Sequence, residues 1–215
     1  METMTTSIIL PFLVFFPFLG AVISYIIGRS NKGARDIWCW ILSAVIFIAS
    51  LTLIGKETVY SLRGFCGLGL SFAADGFGVI LAVLTGAIWL ITTIFSKEYM
   101  AAERNRNRYY FFVFLTLGAT MGIFLSADLF TTFIFFEIMS FTSFVLVMHD
   151  EEDFTVRSAK TYLAVAVIGG LVTLMGLFMM YQKAGTLNMA ELTAFMQSRE
   201  NPAEFYAIGV LILFG

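Results

Sequence analysis

Charge is scarce in this sequence: Asp, Glu, Lys and Arg make up 13% of its 215 residues, about half the share typical of soluble domains. Histidine occurs once, at His149, so a bis-histidine haem cannot be held within the chain. Cys39 and Cys66 have neither a C-x-x-C spacing nor neighbouring histidines, which argues against a zinc site or an iron–sulfur cluster. Both read as small apolar side chains, and the topology below sets them toward opposite membrane faces rather than in a disulfide. A glycine-rich nucleotide loop and a nucleophile–histidine–aspartate set are also missing, so neither a cofactor nor catalysis by this chain alone is expected. Without a basic patch interleaved with aromatics, nucleic acid is excluded as a partner. Residues 1–7 contain Glu2 but no Lys or Arg, and the apolar stretch that follows is about 20 residues long. The first hydrophobic segment is therefore expected to be a retained span rather than a cleaved leader.

Apolar surface is what the sequence has in abundance. It is 59% hydrophobic, with 24 Phe and 11 Met, and its mean hydropathy is +0.88. A soluble 24.0 kDa globule could not hide that much apolar side chain. The Phe and Met residues read as lipid-facing and packing surface. A helix needs about 20 apolar residues to cross a bilayer core of roughly 30 Å. Six stretches meet that length, near 8–28, 37–54, 76–95, 109–125, 129–148 and 158–181, and a seventh opens at 205–215. The expected fold is all-α, a polytopic transmembrane helix bundle of six full spans plus the start of a seventh, in one domain over 1–215. Pro11 and Pro17 inside the first span are tolerated where neighbours take up the freed carbonyls. Between the sixth and seventh spans, Leu192, Phe195 and Met196 fall at helical spacing, which fits either a short interfacial helix or an ordinary ordered loop.

Basic residues in short connections stay in the cytoplasm. Arg29, Lys32 and Arg35 follow the first span, Lys97, Arg104, Arg106 and Arg108 the third, and Arg157 the fifth. The alternate loops hold only Lys56 and Arg63, then Lys183 and Arg199. This bias predicts a multi-pass protein of the inner (cytoplasmic) membrane with a periplasmic N-terminus.

Glu137 is the most informative residue. It lies eight residues into the fifth span, roughly 12 Å deep at a helical rise of 1.5 Å per residue. A carboxylate at that depth costs about 2.5 kcal/mol or more to insert, so such a group faces protein or a wet cavity. There it can load and release a proton, or bind a sodium ion; the alternative is a buried group bonding a neighbouring helix. Ser140, Thr142 and Ser143 follow within two turns and are candidates for a proton relay, although hydroxyls are also common glue between membrane helices. His149, beside an acidic loop, is a further relay candidate or a solvated loop residue. Lys160, at the start of the sixth span, is a second ion-translocation candidate or a snorkelling side chain. In an antiparallel hairpin it is not level with Glu137, so direct pairing is not expected. Asp75 and Asp128 stand where helices begin and suit N-capping.

Three stretches resemble the antiporter-like subunits of respiratory complex I (the L, M and N types), of membrane-bound hydrogenases and of Mrp cation/proton antiporters. They are Leu70-Ser71-Phe72-Ala73-Ala74-Asp75-Gly76, then Phe95-Ser96-Lys97-Glu98-Tyr99-Met100, and Ala127-Asp128-Leu129 followed by Phe135-Phe136-Glu137. Lys160 falls where many members carry a basic residue. The resemblance implies a non-redox, H⁺- or Na⁺-translocating subunit of an NADH:quinone oxidoreductase-like or hydrogenase complex. It also implies partners among other membrane subunits and the lipid bilayer, and a lysine on the seventh span paired with Glu137. A stand-alone cation/proton antiporter subunit and a structural subunit without transport are the alternatives. The sequence reaches Ile212-Leu213-Phe214-Gly215 ahead of where that lysine is expected, so it reads as an N-terminal portion of the subunit or as one piece of a split gene.

Overall fold

A computed structural model describes residues 5–62, 64, 69–103, 105–198 and 203–215. Cys66, Arg63, Arg104 and Arg199 lie outside the described residues. Eight helices are present among them: α1 (Ile9–Ser30), α2 (Lys32–Leu51), α3 (Gly76–Tyr99), α4 (Arg106–Phe124), α5 (Leu129–Val147), α6 (Asp153–Ala184), α7 (Met189–Gln197) and α8 (Ala203–Phe214). Five of these, α1, α2, α3, α5 and α6, are long and apolar enough to cross a membrane. The helix at the expected fourth span, α4, opens on Arg106-Asn107-Arg108 and is not among the five. At the expected seventh, α8 has 12 residues.

Local chemistry sets the helix ends. Asn31 accepts the Ala34 N–H at 3.1 Å and starts α2. Asp75 accepts the Gly78 N–H and Asp128 the Thr131 N–H, each at 2.7 Å, so both aspartates cap as expected. Gly185, with φ +74, takes the left-handed conformation that closes α6. Asn188 accepts the N–H groups of Ala190 and Glu191 and starts α7, so the linker does form a short helix.

Three short strands, β1 (Thr5–Thr6), β2 (Thr58–Leu62) and β3 (Leu70–Ala74), correct the all-α expectation. They form one sheet in the order β1-β2-β3, parallel then antiparallel. Leu70, Phe72 and Ala74 are buried while Ser71 and Ala73 are less so, the alternation of a half-covered strand. Backbone bonds extend this end of the bundle: Ala73 N–H donates to Leu125 O at 2.8 Å, and Ala127 N–H to Ser71 O at 2.9 Å. Leu129 N–H then donates to Leu187 O at 3.0 Å, and Met189 N–H to Ala127 O at 3.2 Å.

Packing divides into two cores. The first joins α1, α2, α3, α4 and β3 around Leu13, Leu42, Phe72, Phe114 and Leu117. Its centre is α4, buried at every residue from 116 to 122, as befits a helix surrounded by neighbours. Gly118 and Gly122 form a G-x-x-x-G pair that lets rings lie on bare backbone. A Cβ at 118 would lie 2.7 Å from the Phe18 ring of α1, and one at 122 would meet the Phe135 ring of α5. The second core gathers Phe130, Leu177, Met180, Leu192, Phe205 and Ile208 from α5 to α8.

Two charged residues lie deeper than expected. Arg35, assigned to a loop by its sequence position, is fully buried in α2 beside Asp36. Its Nε and Nη2 donate to Asp36 Oδ1 at 3.0 and 2.7 Å, and its Nη1 donates to Asn107 Oδ1. Its guanidinium lies 4.7 Å over the Tyr110 ring. Arg106 and Arg108 likewise sit in the first turn of α4, and Arg157 in α6, rather than in loops.

Candidate ion-binding site

Residues 135 and 137 point to opposite sides of α5, because two residues turn about 200° around a helix. Phe135 packs on Gly122 of α4, as described. Glu137 turns to α6 and rests on Gly170: a Cβ there would lie 2.8 Å from Glu137 Cδ and would touch Oε1. Glycine at 170 therefore lets the carboxyl approach the α6 backbone. Glu137 is half-buried, eight residues and about 12 Å from the start of α5. Among the described residues no ion pair involves it.

Gly169, the preceding residue, lies about 100° round α6 from Gly170 and meets a different neighbour. Its Cβ position is taken by the backbone oxygen of Gly215, and a Cβ at Gly215 would lie 2.5 Å from Thr173 Oγ1. The two glycines thus bring Glu137 and the end of α8 against one stretch of α6 from two sides. This pair was missed in the sequence, although two adjacent glycines inside an apolar run signal close backbone approach.

The other candidates lie elsewhere. Lys160 is exposed, ten residues before Gly170 and so about 15 Å along α6 from the level of Glu137. The two are not brought together. Ser140 and Thr142 are buried. Thr142 Oγ1 accepts a bond from Thr116 Oγ1 of α4 at 2.9 Å and donates to Met139 O at 3.0 Å, a link between helices. Ser143 is half-buried. His149 is half-buried, its ring edge-on to Tyr109 at 5.7 Å, and its carbonyl accepts from Arg108 Nη2 at 2.8 Å. Among the described residues no group of three or more His, Cys, Asp or Glu could hold a metal ion. What remains at Glu137 is one carboxyl between apolar helices beside exposed backbone, chemistry suited to a proton or a monovalent cation.

Residues 126–215 match the family described as NADH:quinone oxidoreductase/Mrp antiporter, transmembrane. The chain is similar to a Na(+)/H(+) antiporter subunit of Bacillus subtilis (strain 168), 29% identical over 217 residues, 98% of this chain and 43% of the relative. It is likewise similar to putative antiporter subunit mnhD2 of Staphylococcus epidermidis (strain ATCC 35984), 29% identical over 219 residues, with the same shares covered. Among solved structures, the Mrp complex from Dietzia sp. DQ12-45-1b matches with TM-score 0.82 and 25% identity over 95% of this chain and 23% of that chain. A membrane-bound sulfane sulfur reductase, an archaeal respiratory membrane complex, matches with TM-score 0.84 and 19% identity over 97% of this chain and 44% of that one, a likeness of fold. The chain spans less than half the length of these curated relatives. The resemblance to antiporter-like membrane subunits is borne out.

Proposed function

We infer, from this kinship with antiporter-like membrane subunits, that the chain forms part of a cation/proton-translocating subunit in which Glu137 takes up and releases the ion. The supporting observation is a carboxyl about 12 Å inside an apolar helix, resting on the bare backbone of Gly170, within the stretch that matches the family. A charge in that setting is retained where it serves ion movement. On this reading α4 crosses the membrane with the five long apolar helices, and α8 begins a seventh span. The bundle is a single domain of the inner membrane, its N-terminus is periplasmic, and a basic residue from the α8 side balances Glu137. Lys160 lies too far along α6 for that direct role, and serves at most at the rim of the ion path. His149, Ser140, Thr142 and Ser143 remain candidates for a relay through water.

Two assemblies fit. The sequence likeness to a Na(+)/H(+) antiporter component supports a stand-alone antiporter over the redox-driven complex that the resemblance first suggested. The fold it shares with a respiratory membrane complex keeps the redox-driven reading as the second. Glu137→Gln, assayed in everted membrane vesicles by the fluorescence of a pH-gradient dye, separates transport from structure. The expected result is loss of cation-dependent proton movement with the subunit still assembled at wild-type level. Unchanged transport would overturn the assignment of Glu137.

A further inference from the structure

At the end of the bundle where α1 finishes and α2 and α4 begin, a cleft of about 750 Å³ opens among basic side chains. Lys32, Arg35, Arg106 and Arg108 line it, with Glu103 the opposing acid. Asp36 holds two of the cations, Arg35 at 2.7 Å and Arg106 at 3.4 Å, and Glu151 pairs with Arg108. Positive charge still outweighs negative, because Asp36 alone serves two arginines while Glu103 offsets only Lys32, which makes no ion pair among the described residues.

The donors are not used up either. Arg106 Nε and Arg108 Nε are buried and have no hydrogen-bond acceptor. A buried guanidinium N–H without an acceptor is costly, and arginines that line a common cleft favour an anion with several oxygens. The cleft has an apolar wall as well. Tyr25 of α1 and Phe111 of α4 both line it, with their rings edge-to-face at 5.8 Å, and Tyr25 is exposed. Both helices continue from there into the apolar body of the bundle.

We propose that this cleft binds the headgroup phosphate of an anionic membrane phospholipid, whose acyl chain lies along Tyr25 and Phe111. Inorganic phosphate would use the basic floor alone. A phospholipid uses the floor and the wall, and basic pockets between membrane helices take anionic headgroups in this way. The inference does not depend on the role of Glu137, since it concerns the end of the bundle where α2 and α4 begin and is read by lipid binding rather than transport.

The test is native mass spectrometry of the subunit in its membrane assembly, purified in mild detergent and offered phosphatidylglycerol, phosphatidylcholine or inorganic phosphate. Phosphatidylglycerol should be retained in preference to phosphatidylcholine. Lys32→Gln should weaken that retention about fivefold, and Arg106→Gln should weaken it further. Lys32 is exposed, so its substitution reads binding even if the loss of Arg106 disturbs folding. Equal retention of the two lipids, or wild-type retention in both variants, would overturn the proposal. So would displacement of phosphatidylglycerol by equimolar inorganic phosphate, which would mark a free-anion site.

Discussion

The two ends of the chain are built to different standards of closure. In the first core, α4 buries ten of its 19 residues, and a charged pair, Arg35 and Asp36, is sealed in with its partners. In the second, α6 buries five of its 32 residues and leaves Val165, Ile168, Leu171, Met175 and Phe178 exposed. Glu137 sits on the boundary, with the rigid core behind it at Phe135 and the open helix in front of it at Gly170. The contrast teaches that the candidate ion site is held on one side only. Its carboxyl is anchored by a firm helix and faces one that packs loosely within this chain.

Breaking the firm side should show first. Arg35→Met strands Asp36 in the interior with only the longer Arg106 contact, and loss of one partner from a buried pair costs about 3–5 kcal/mol. Denaturant titration of the purified protein in detergent would show it, and a change below about 1 kcal/mol would mean that the first core tolerates an unpaired charge. Gly122→Ala should come next. The Cβ would press on the Phe135 ring, which packs on Phe72 at 5.8 Å, so overpacking should cost about 1–3 kcal/mol in the same titration. Gly170→Ala makes the matching insertion on the loose side. There the obstructing atoms are the far end of a flexible Glu137 side chain, so stability should fall by less than about 1 kcal/mol. Transport should nevertheless drop, because the carboxyl must leave the α6 backbone. If Gly170→Ala proves as destabilising as Gly122→Ala with transport intact, the comparison between the two sides fails.

Much of this architecture was legible in the sequence, and the exceptions share a cause. Apolar runs mark every helix except α7 to within about five residues, the linker reading equally as helix or loop, and Asp75 and Asp128 announce two starts through their capping chemistry. Glu137 stood out because a carboxylate in an apolar run carries its cost on its face. The strands were hidden because β2 and β3 are five residues each, too short to compete with neighbouring spans as a pattern. Arg35 has the sequence position of a loop residue because what buries it, Asn107 and Tyr110, lies more than seventy residues away in the sequence. Gly170 was overlooked for the same reason: the side chain it accommodates belongs to another helix. Local chemistry is written locally, whereas close approach between helices is written only in pairs.

The backbone bonds among residues 71–73, 125–129 and 187–189 have a mechanical consequence. They fasten the C-terminal side of α6 to the sheet and to the start of α5, so a tilt of α6 would pivot at that end, its hinge. The opposite end is tethered through the Arg108 side chain, which reaches Glu151 and the His149 carbonyl just before α6 begins. A swing of about 5° around the hinge carries Gly170 through about 2 Å and Asp153 through about 4 Å, given the rise of a helix. Such a lever would magnify small displacements away from the sheet, with the exposed Arg108–Glu151 ion pair as its brake. That brake weakens as salt rises.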